Sequence, residues 1–294
     1  MTQLSIDGRT AMYASIGQNI GFSPIAGIFN AISGYIGYNA IMMPYETVKS
    51  EFYMTIDALR LLKCKGVFID TPYRCDLEKL LVSLTDEASV CEAVNLIRFH
   101  NDGLHGHNTE ITAFTKAFPL ITGEKLAGKK IFLIGAGGAA KAIAIACAQQ
   151  HCEALTIANR NPEKANRLCS LVNSQYENIA RVADFHDPGT IHSFYNADII
   201  IHATTSGMFP NLYTHPIPED YQFMSHHLVL DMVYNPPQTK LLQMAEEKGC
   251  RCYNGRDMIF HSCLEAFQWW TDVRIDAESE KKLFHIWKEM LYNV

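Results

Sequence analysis

At 294 residues the chain is long enough for two domains, and 48% hydrophobic with 19% charged residues is the balance of a globular protein with a sizeable core. A net charge of −6 without any run of Lys or Arg excludes the electrostatic footprint needed for a nucleic-acid backbone or an anionic membrane surface. Chemistry on a small molecule is favoured instead.

The first nine residues lack a basic segment followed by an apolar core, and the longest apolar run is broken by Lys141. A cytoplasmic, non-exported protein without a membrane span is therefore expected. Residues 11–20 are small and mixed, Gly21-Phe-Ser-Pro-Ile25 punctuates, and residues 28–37 take helical spacing up to a glycine stop, which reads as strand, loop, helix. Residues 38–43 form a second strand expected to end at Pro44, and residues 48–63 a helix. A third strand, Gly66-Val-Phe-Ile69, runs into Asp70-Thr-Pro-Tyr-Arg74. Helical patterning resumes over 76–84, and residues 92–98 give a short strand. The strand ends of this first α/β unit carry Ser23, Asp70 and Asn95. Gly103-Leu-His-Gly-His-Asn-Thr-Glu110 reads as a polar loop feeding a helix over 111–118, with a domain boundary near it.

The stretch Lys129-Lys-Ile-Phe-Leu-Ile-Gly-Ala-Gly-Gly-Ala-Ala-Lys-Ala142 is an apolar run that breaks on glycines and reopens as an alanine-rich helix. Gly135 allows the turn, Gly137 lets the backbone approach a pyrophosphate, and the small Ala140 permits close packing of helix on strand. N–H groups at the helix start would then face an anion. A second strand, residues 155–160, follows at the distance a dinucleotide-binding unit requires. Residues 197–203 and 228–233 are apolar runs of the kind buried in a parallel sheet, with Thr204 and Tyr234 just past their C-terminal ends. A helical segment with Phe260, Leu264, Phe267 and Trp270, then residues 281–291, is expected to return to the first domain. The fold expected is α/β: a substrate domain of residues 1–110 and 258–294, and a doubly wound parallel-sheet nucleotide domain of Rossmann type over 111–257. The nine cysteines are odd in number and form no CxxC pair, so reduced thiols are expected. Only Cys250-Arg-Cys252 is a close pair, read as core packing with a metal or redox role as the alternative; the site is expected to hold no metal.

The order and spacing of these motifs resemble the shikimate dehydrogenase family over nearly the whole chain. Glu92-Ala-Val-Asn95 is similar to that family's Gly-Ala-Val-Asn-Thr, Asn108-Thr-Glu110 to its Asn-Thr-Asp, Gly135-Ala-Gly-Gly138 to its phosphate turn, and His202-Ala-Thr-Thr-Ser-Gly-Met208 to its Asn-Ala-Thr-x-x-Gly-Met. Val233-Tyr-Asn-Pro236 with Thr239-Lys-Leu-Leu242 resembles the quinate/shikimate branch in particular. The resemblance implies a two-domain oxidoreductase of aromatic amino acid biosynthesis or quinate metabolism. It would oxidise a cyclic hydroxy acid to its keto form with NAD(P), with substrate in the cleft between the domains.

The departures concentrate on the substrate side. Where the family has Asn-Val-Thr-x-Pro-x-Lys this chain has Phe68-Ile-Asp-Thr-Pro-Tyr-Arg74, so Arg74 stands at the catalytic lysine and Glu110 at its partner aspartate. Gly21 replaces the first serine of Ser-x-Ser-Pro while Ser23 keeps the second, and Ser262 stands at a substrate-binding glutamine. Asn95, Thr109 and Tyr234 match other substrate-side groups. Arginine stays protonated at any working pH and cannot cycle as a base. Glu110 is therefore expected to be the general base, with Arg74 anchoring a carboxylate or alkoxide, the alternative being a plain salt bridge between them. His105 and His107 rank below Glu110 as proton relays, and His202 is expected to be a satisfied, half-buried group. Asp70 would oppose an anionic substrate unless it pairs with Arg74.

The expected cofactor set is Gly135, Gly137, Gly138, Ala139, Asn159, Arg160, Thr204, Met232 and Gly255. An NAD site usually carries a carboxylate after its second strand, whereas this chain has Asn159-Arg160, which favours NADP over NAD. A homodimer is left open, as are a nucleotide-binding sensor with little turnover and a folate dehydrogenase on the same architecture.

Overall fold

A computed structural model describes residues 6–75, 77 and 80–292. The chain divides into two compact units, one of residues 1–89, 93–109 and 259–294, the other of residues 90–92 and 110–258.

The first unit begins with β1 (Ala11–Gly17), a one-turn 3-10 helix (Ile20–Phe22) and α1 (Ile25–Ile36). Helix α1 buries Ile25, Ile28, Phe29 and Ile32, a stripe at helical spacing, and stops where Gly37 turns left-handed at φ 75°. Then come β2 (Ala40–Glu46), α2 (Phe52–Leu61), β3 (Gly66–Ile69), β4 (Leu81–Leu84), α3 (Asp86–Cys91), β5 (Leu96–His100) and β6 (Gly103–His107). The six strands pair in the order β2-β1-β3-β5-β6-β4. Strand β2 continues through Pro44 instead of ending there, because an edge strand needs no N–H on its open side. Residues 81–84, expected to be helical, form an edge strand parallel to β6; expectations that touch Asp76, Glu78 and Lys79, and the first five residues, lie outside the described residues. The expected polar loop at 103–110 is also a strand, since Gly103 to His107 pair antiparallel with β5 across a two-residue turn. Ser23 and Asn95 accordingly lie outside strands, Ser23 after the 3-10 turn and Asn95 just before β5.

The second unit alternates α4 (Glu110–Thr122), β7 (Lys130–Ile134), α5 (Gly138–Gln149), β8 (Ala154–Ala158), α6 (Pro162–Gln175), β9 (Ala180–Ala183), α7 (Pro188–Tyr195), β10 (Ile199–His202), β11 (Leu228–Asp231), α8 (Lys240–Glu246) and β12 (Arg251–Asn254). All its strand pairs are parallel, in the order β12-β11-β10-β7-β8-β9. Strand order reverses between β7 and β10, which is the Rossmann arrangement and its topological switch point. The runs Lys130–Ile134, Ile199–His202 and Leu228–Asp231 are almost wholly buried, as a sheet covered on both faces demands.

Helices α9 (Arg256–Thr271) and α10 (Ala277–Tyr292) carry the chain back to the first unit. Phe260, Leu264, Phe267 and Trp270 pack there with Tyr13, Phe29 and Phe68 in one aromatic core, while Phe52, Ile56, Val67 and Ile69 belong to another. Trp270 donates its indole N–H to Ile97 O at 3.0 Å, and a Cβ on Gly66 would collide with that ring.

Candidate active site

In the second unit β7 is followed by Gly135, whose φ of 129° excludes most side chains. An ideal Cβ there would lie 2.7 Å from the carbonyl oxygen of Ala203, just beyond β10, so the two strand ends touch backbone to backbone at the switch point. Gly137 behaves oppositely: a Cβ on it would meet nothing within 4 Å, so the N-terminus of the twelve-residue α5 opens into free space. Gly138 and Ala139 form its first turn. Four unsatisfied N–H groups and the positive end of the helix dipole suit this place for a pyrophosphate. Asn159 and Arg160 directly follow β8; Asn159 caps its own turn by donating to Asn161 O at 2.9 Å, and Arg160 is exposed with no ion pair among the described residues. A Cβ on Gly255 would collide with Met232 O, so these two backbones also meet closely, beyond β12 and β11. The residues present fit a dinucleotide.

Beneath Thr204 lies a buried polar chain. His202 is fully buried, not half-buried, at the end of β10 and in register with Asp231 at the end of β11. Its Nδ1–H donates to Asp231 Oδ1 at 2.8 Å, and its Nε2 shares a hydrogen bond of 2.5 Å with the Thr204 hydroxyl. Asp231 also accepts the Val233 N–H at 2.9 Å and the Thr239 hydroxyl at 2.5 Å. Asp231 went unnoticed in the sequence; a lone carboxylate ending Leu228-Val-Leu-Asp231 was the signal. Tyr234 follows this strand, its carbonyl held by Arg256 Nε at 3.1 Å. Glu110 is buried at the first position of α4, where the helix dipole favours a carboxylate.

In the first unit two polar groups form. Asn95, Thr109 and Ser262 are all buried: Asn95 accepts the Thr109 N–H at 3.0 Å and donates to Thr109 Oγ1 at 2.8 Å, and Thr109 Oγ1 meets Ser262 Oγ at 2.5 Å. The other group is centred on Asp70, which follows β3. Its Oδ1 accepts the Thr71 N–H at 2.7 Å and faces Arg74 Nη2 at 3.5 Å, and its Oδ2 accepts the Ser23 hydroxyl at 3.3 Å. Arg74 Nε donates to Ile69 O at 3.3 Å, and its side chain is 14% exposed. Asp70 does therefore pair with the arginine. His105 and His107 project from β6: His107 is buried between Thr85 and Glu265 and stacks on Trp269, and His105 binds Ser83 and Asp102. All nine cysteines are thiols, and burial pushes Cys250 up to about 11 and Cys252 to about 12, so both stay protonated in the core near neutral pH.

Residues 119–211 match the family model for shikimate / quinate 5-dehydrogenase. The NADP-dependent shikimate dehydrogenase of Alkaliphilus oremlandii is 30% identical over 94% of this chain and 97% of its own. The crystal structure of Listeria monocytogenes shikimate 5-dehydrogenase in complex with shikimate and NAD is similar with a TM-score of 0.80 at 27% identity, covering 95% of this chain and 98% of that one. Ligand-free 5-ketofructose reductase of a Gluconobacter strain superposes with a TM-score of 0.74 at 26% identity over 95% and 100% of the two chains. With such identity sustained across nearly the whole length of both sequences, the chain belongs to the shikimate dehydrogenase family.

Proposed function

We propose that this chain is an NADP-dependent dehydrogenase of a cyclic hydroxy acid, shikimate, quinate or a close relative. As a family member it is an NAD(P)-dependent oxidoreductase acting on a CH–OH group. The Alkaliphilus relative is named an NADP-dependent shikimate dehydrogenase, the Listeria structure holds shikimate with NAD, and the Gluconobacter relative of the same fold is named a 5-ketofructose reductase, so the ring acid and the preference for NADP are our assignments.

The observation that carries the reading is the close approach of Gly135 to Ala203 beside an open α5 N-terminus, at the place where a parallel sheet binds dinucleotides. NADP+, when bound, supplies the hydride acceptor. Oxidation also removes the hydroxyl proton, which we assign to Glu110. The role of Arg74 is then to hold the developing alkoxide or a carboxylate, since a guanidinium cannot take the proton. Its partner Asp70 offsets much of its charge, so substrate orientation rests on neutral donors and acceptors: Ser23, Asn95, Thr109, Ser262 and Tyr234. Arg160 is assigned to the 2′-phosphate. Substrate binding is ascribed to residues 1–110 and 258–294 and cofactor binding to 111–257. Nine thiols without a disulfide support a reducing, cytoplasmic setting.

The test is absorbance at the nicotinamide band with shikimate, quinate and related acids, each with NADP+ and NAD+. Reduction of NADP+ by at least one ring hydroxy acid is expected; cofactor binding without turnover on any of them would replace the enzyme by a sensor.

A further inference from the structure

The hairpin of β5 and β6 carries a cluster to which the proposed dehydrogenase mechanism assigns no role. His100 pairs with Gly103 and Arg98 with His105, so His100 and His105 are diagonal neighbours on one face of the ladder, and Asp102 sits in the turn between them. Asp102 Oδ1 lies 2.9 Å from His100 Nδ1 and 2.9 Å from His105 Nε2, and the potential ligand atoms of the three residues all lie within 4.8 Å of one another. The imidazole rings stand edge to face, centroids 5.4 Å apart. From β4, Ser83 Oγ meets His105 Nδ1 at 2.6 Å.

We propose that His100, Asp102 and His105 bind a divalent transition-metal ion, Zn2+ by the chemistry of the donors. Two imidazole nitrogens and one carboxylate oxygen are the ligands Zn2+ takes, whereas Mg2+ and Ca2+ require oxygen. Tetrahedral bonds of about 2.0–2.1 Å set ligand atoms about 3.3 Å apart, so closing the cluster around an ion needs only small side-chain movements. A water fills the fourth position. In the metal-free state both imidazoles donate N–H to Asp102; ligation needs a lone pair at those nitrogens, with the proton on the other ring nitrogen. Ser83 serves either form of His105, donating its hydroxyl to Nδ1 in the first and accepting Nδ1–H in the second. This is the orienting partner that metal-bound histidines usually have. Arg98, which pairs with His105 across the ladder, is drawn off over the Trp269 ring at 4.6 Å and to Asp272 at 3.3 Å, and does not oppose an incoming ion. The sequence reading expected no metal, because His-x-Asp-x-x-His converges only through this hairpin register.

The test is titration of the full-length protein with Co2+, followed by its visible d–d absorption, then competition with Zn2+ and Mg2+. One Co2+ per chain is expected, displaced by Zn2+ and not by Mg2+. Binding should vanish in His105→Ala and in the isosteric Asp102→Asn, and weaken about tenfold in Ser83→Ala, each variant being checked for its thermal midpoint and circular dichroism. Absence of a visible band in the parent protein, or a band unchanged in both His105→Ala and Asp102→Asn, would leave the cluster a hydrogen-bonded turn only and overturn the proposal.

Discussion

Asp70 holds Arg74 through an oxygen–nitrogen contact of 3.5 Å, on side chains 12% and 14% exposed. An arginine so paired presents little net charge to an anion. Replacing Asp70 by Asn should release that charge, lowering KM for a carboxylate substrate at a stability cost of about 1–3 kcal/mol. Steady-state kinetics and thermal melting read both; an unchanged KM would detach Arg74 from the substrate.

Arg74→Lys and Glu110→Asp test the assigned chemistry. Loss of a correctly placed base or charge stabiliser lowers turnover by about 10²- to 10⁴-fold. Glu110→Asp, which withdraws the carboxylate by one methylene, should fall by a factor within or just below that range. Unchanged kcat in both single variants would remove both residues from the mechanism.

Gly135→Ala should abolish tight cofactor binding. A methyl at φ 129° must displace the backbone of Ala203, 2.7 Å away, and backbone strain of that kind costs about 1–3 kcal/mol. Gly137→Ala is the control: the methyl fits the protein alone, so stability should hold while affinity for the dinucleotide drops. Calorimetric titration with NADP+ and thermal melting separate the two effects.

Arg160→Gln should weaken NADP+ by about 10- to 100-fold and leave NAD+ nearly untouched, as loss of a charge-assisted hydrogen bond of about 1.5–3 kcal/mol implies. Equal losses for both cofactors would deny the 2′-phosphate role.

Stability should fall on mild acidification through His227. Burial pushes its pKa down to about 4, outweighing the Tyr195 carbonyl, which raises it; His226 adds a smaller lowering and Asp198 a smaller raising effect. Its Nδ1 accepts the Met224 N–H at 3.1 Å and its Nε2–H faces Tyr195 O at 3.3 Å, so a second proton would break the first bond. The unfolded chain binds that proton from about pH 6.5 downward and the folded chain only near 4. The contribution is therefore complete above pH 6.5 and is lost as pH falls towards 4, by about 2 kcal/mol between pH 7 and 5. Urea melts at the two pH values measure it, and the His227→Gln protein should show a correspondingly flatter dependence.

Strands buried on both faces were legible from the sequence as continuous apolar runs, polar only at their ends in Lys130, His202 and Asp231: Gly66–Ile69 is found where it was read, and Lys130–Ile134, Ile199–His202 and Leu228–Asp231 lie within the stretches named. Edge and hairpin strands were legible only in part: residues 38–43 and 92–98 overlap β2 and β5, whereas β4 and β6 were read as helix and loop. Gly103-Leu-His-Gly-His107 reads as loop by composition, and only its ladder with β5 makes it a strand. Pro44 stops a central strand but not an open edge. At the site, single residues were visible through their motifs, whereas their partners were not. His202 and Asp231 stand 29 positions apart and meet because β10 and β11 run in parallel register, a relation that no local spacing encodes.

That register has a mechanical result. From Thr204 through His202 and Asp231 to Thr239, whose hydroxyl caps α8, every link is a short hydrogen bond, part-buried at Thr204 and fully buried from His202 onward, so the crossover after β10 and the crossover after β11 are anchored to the same carboxylate. Neither loop can shift without loosening the other, and the rim of the nucleotide sheet is stiffened in advance of any ligand.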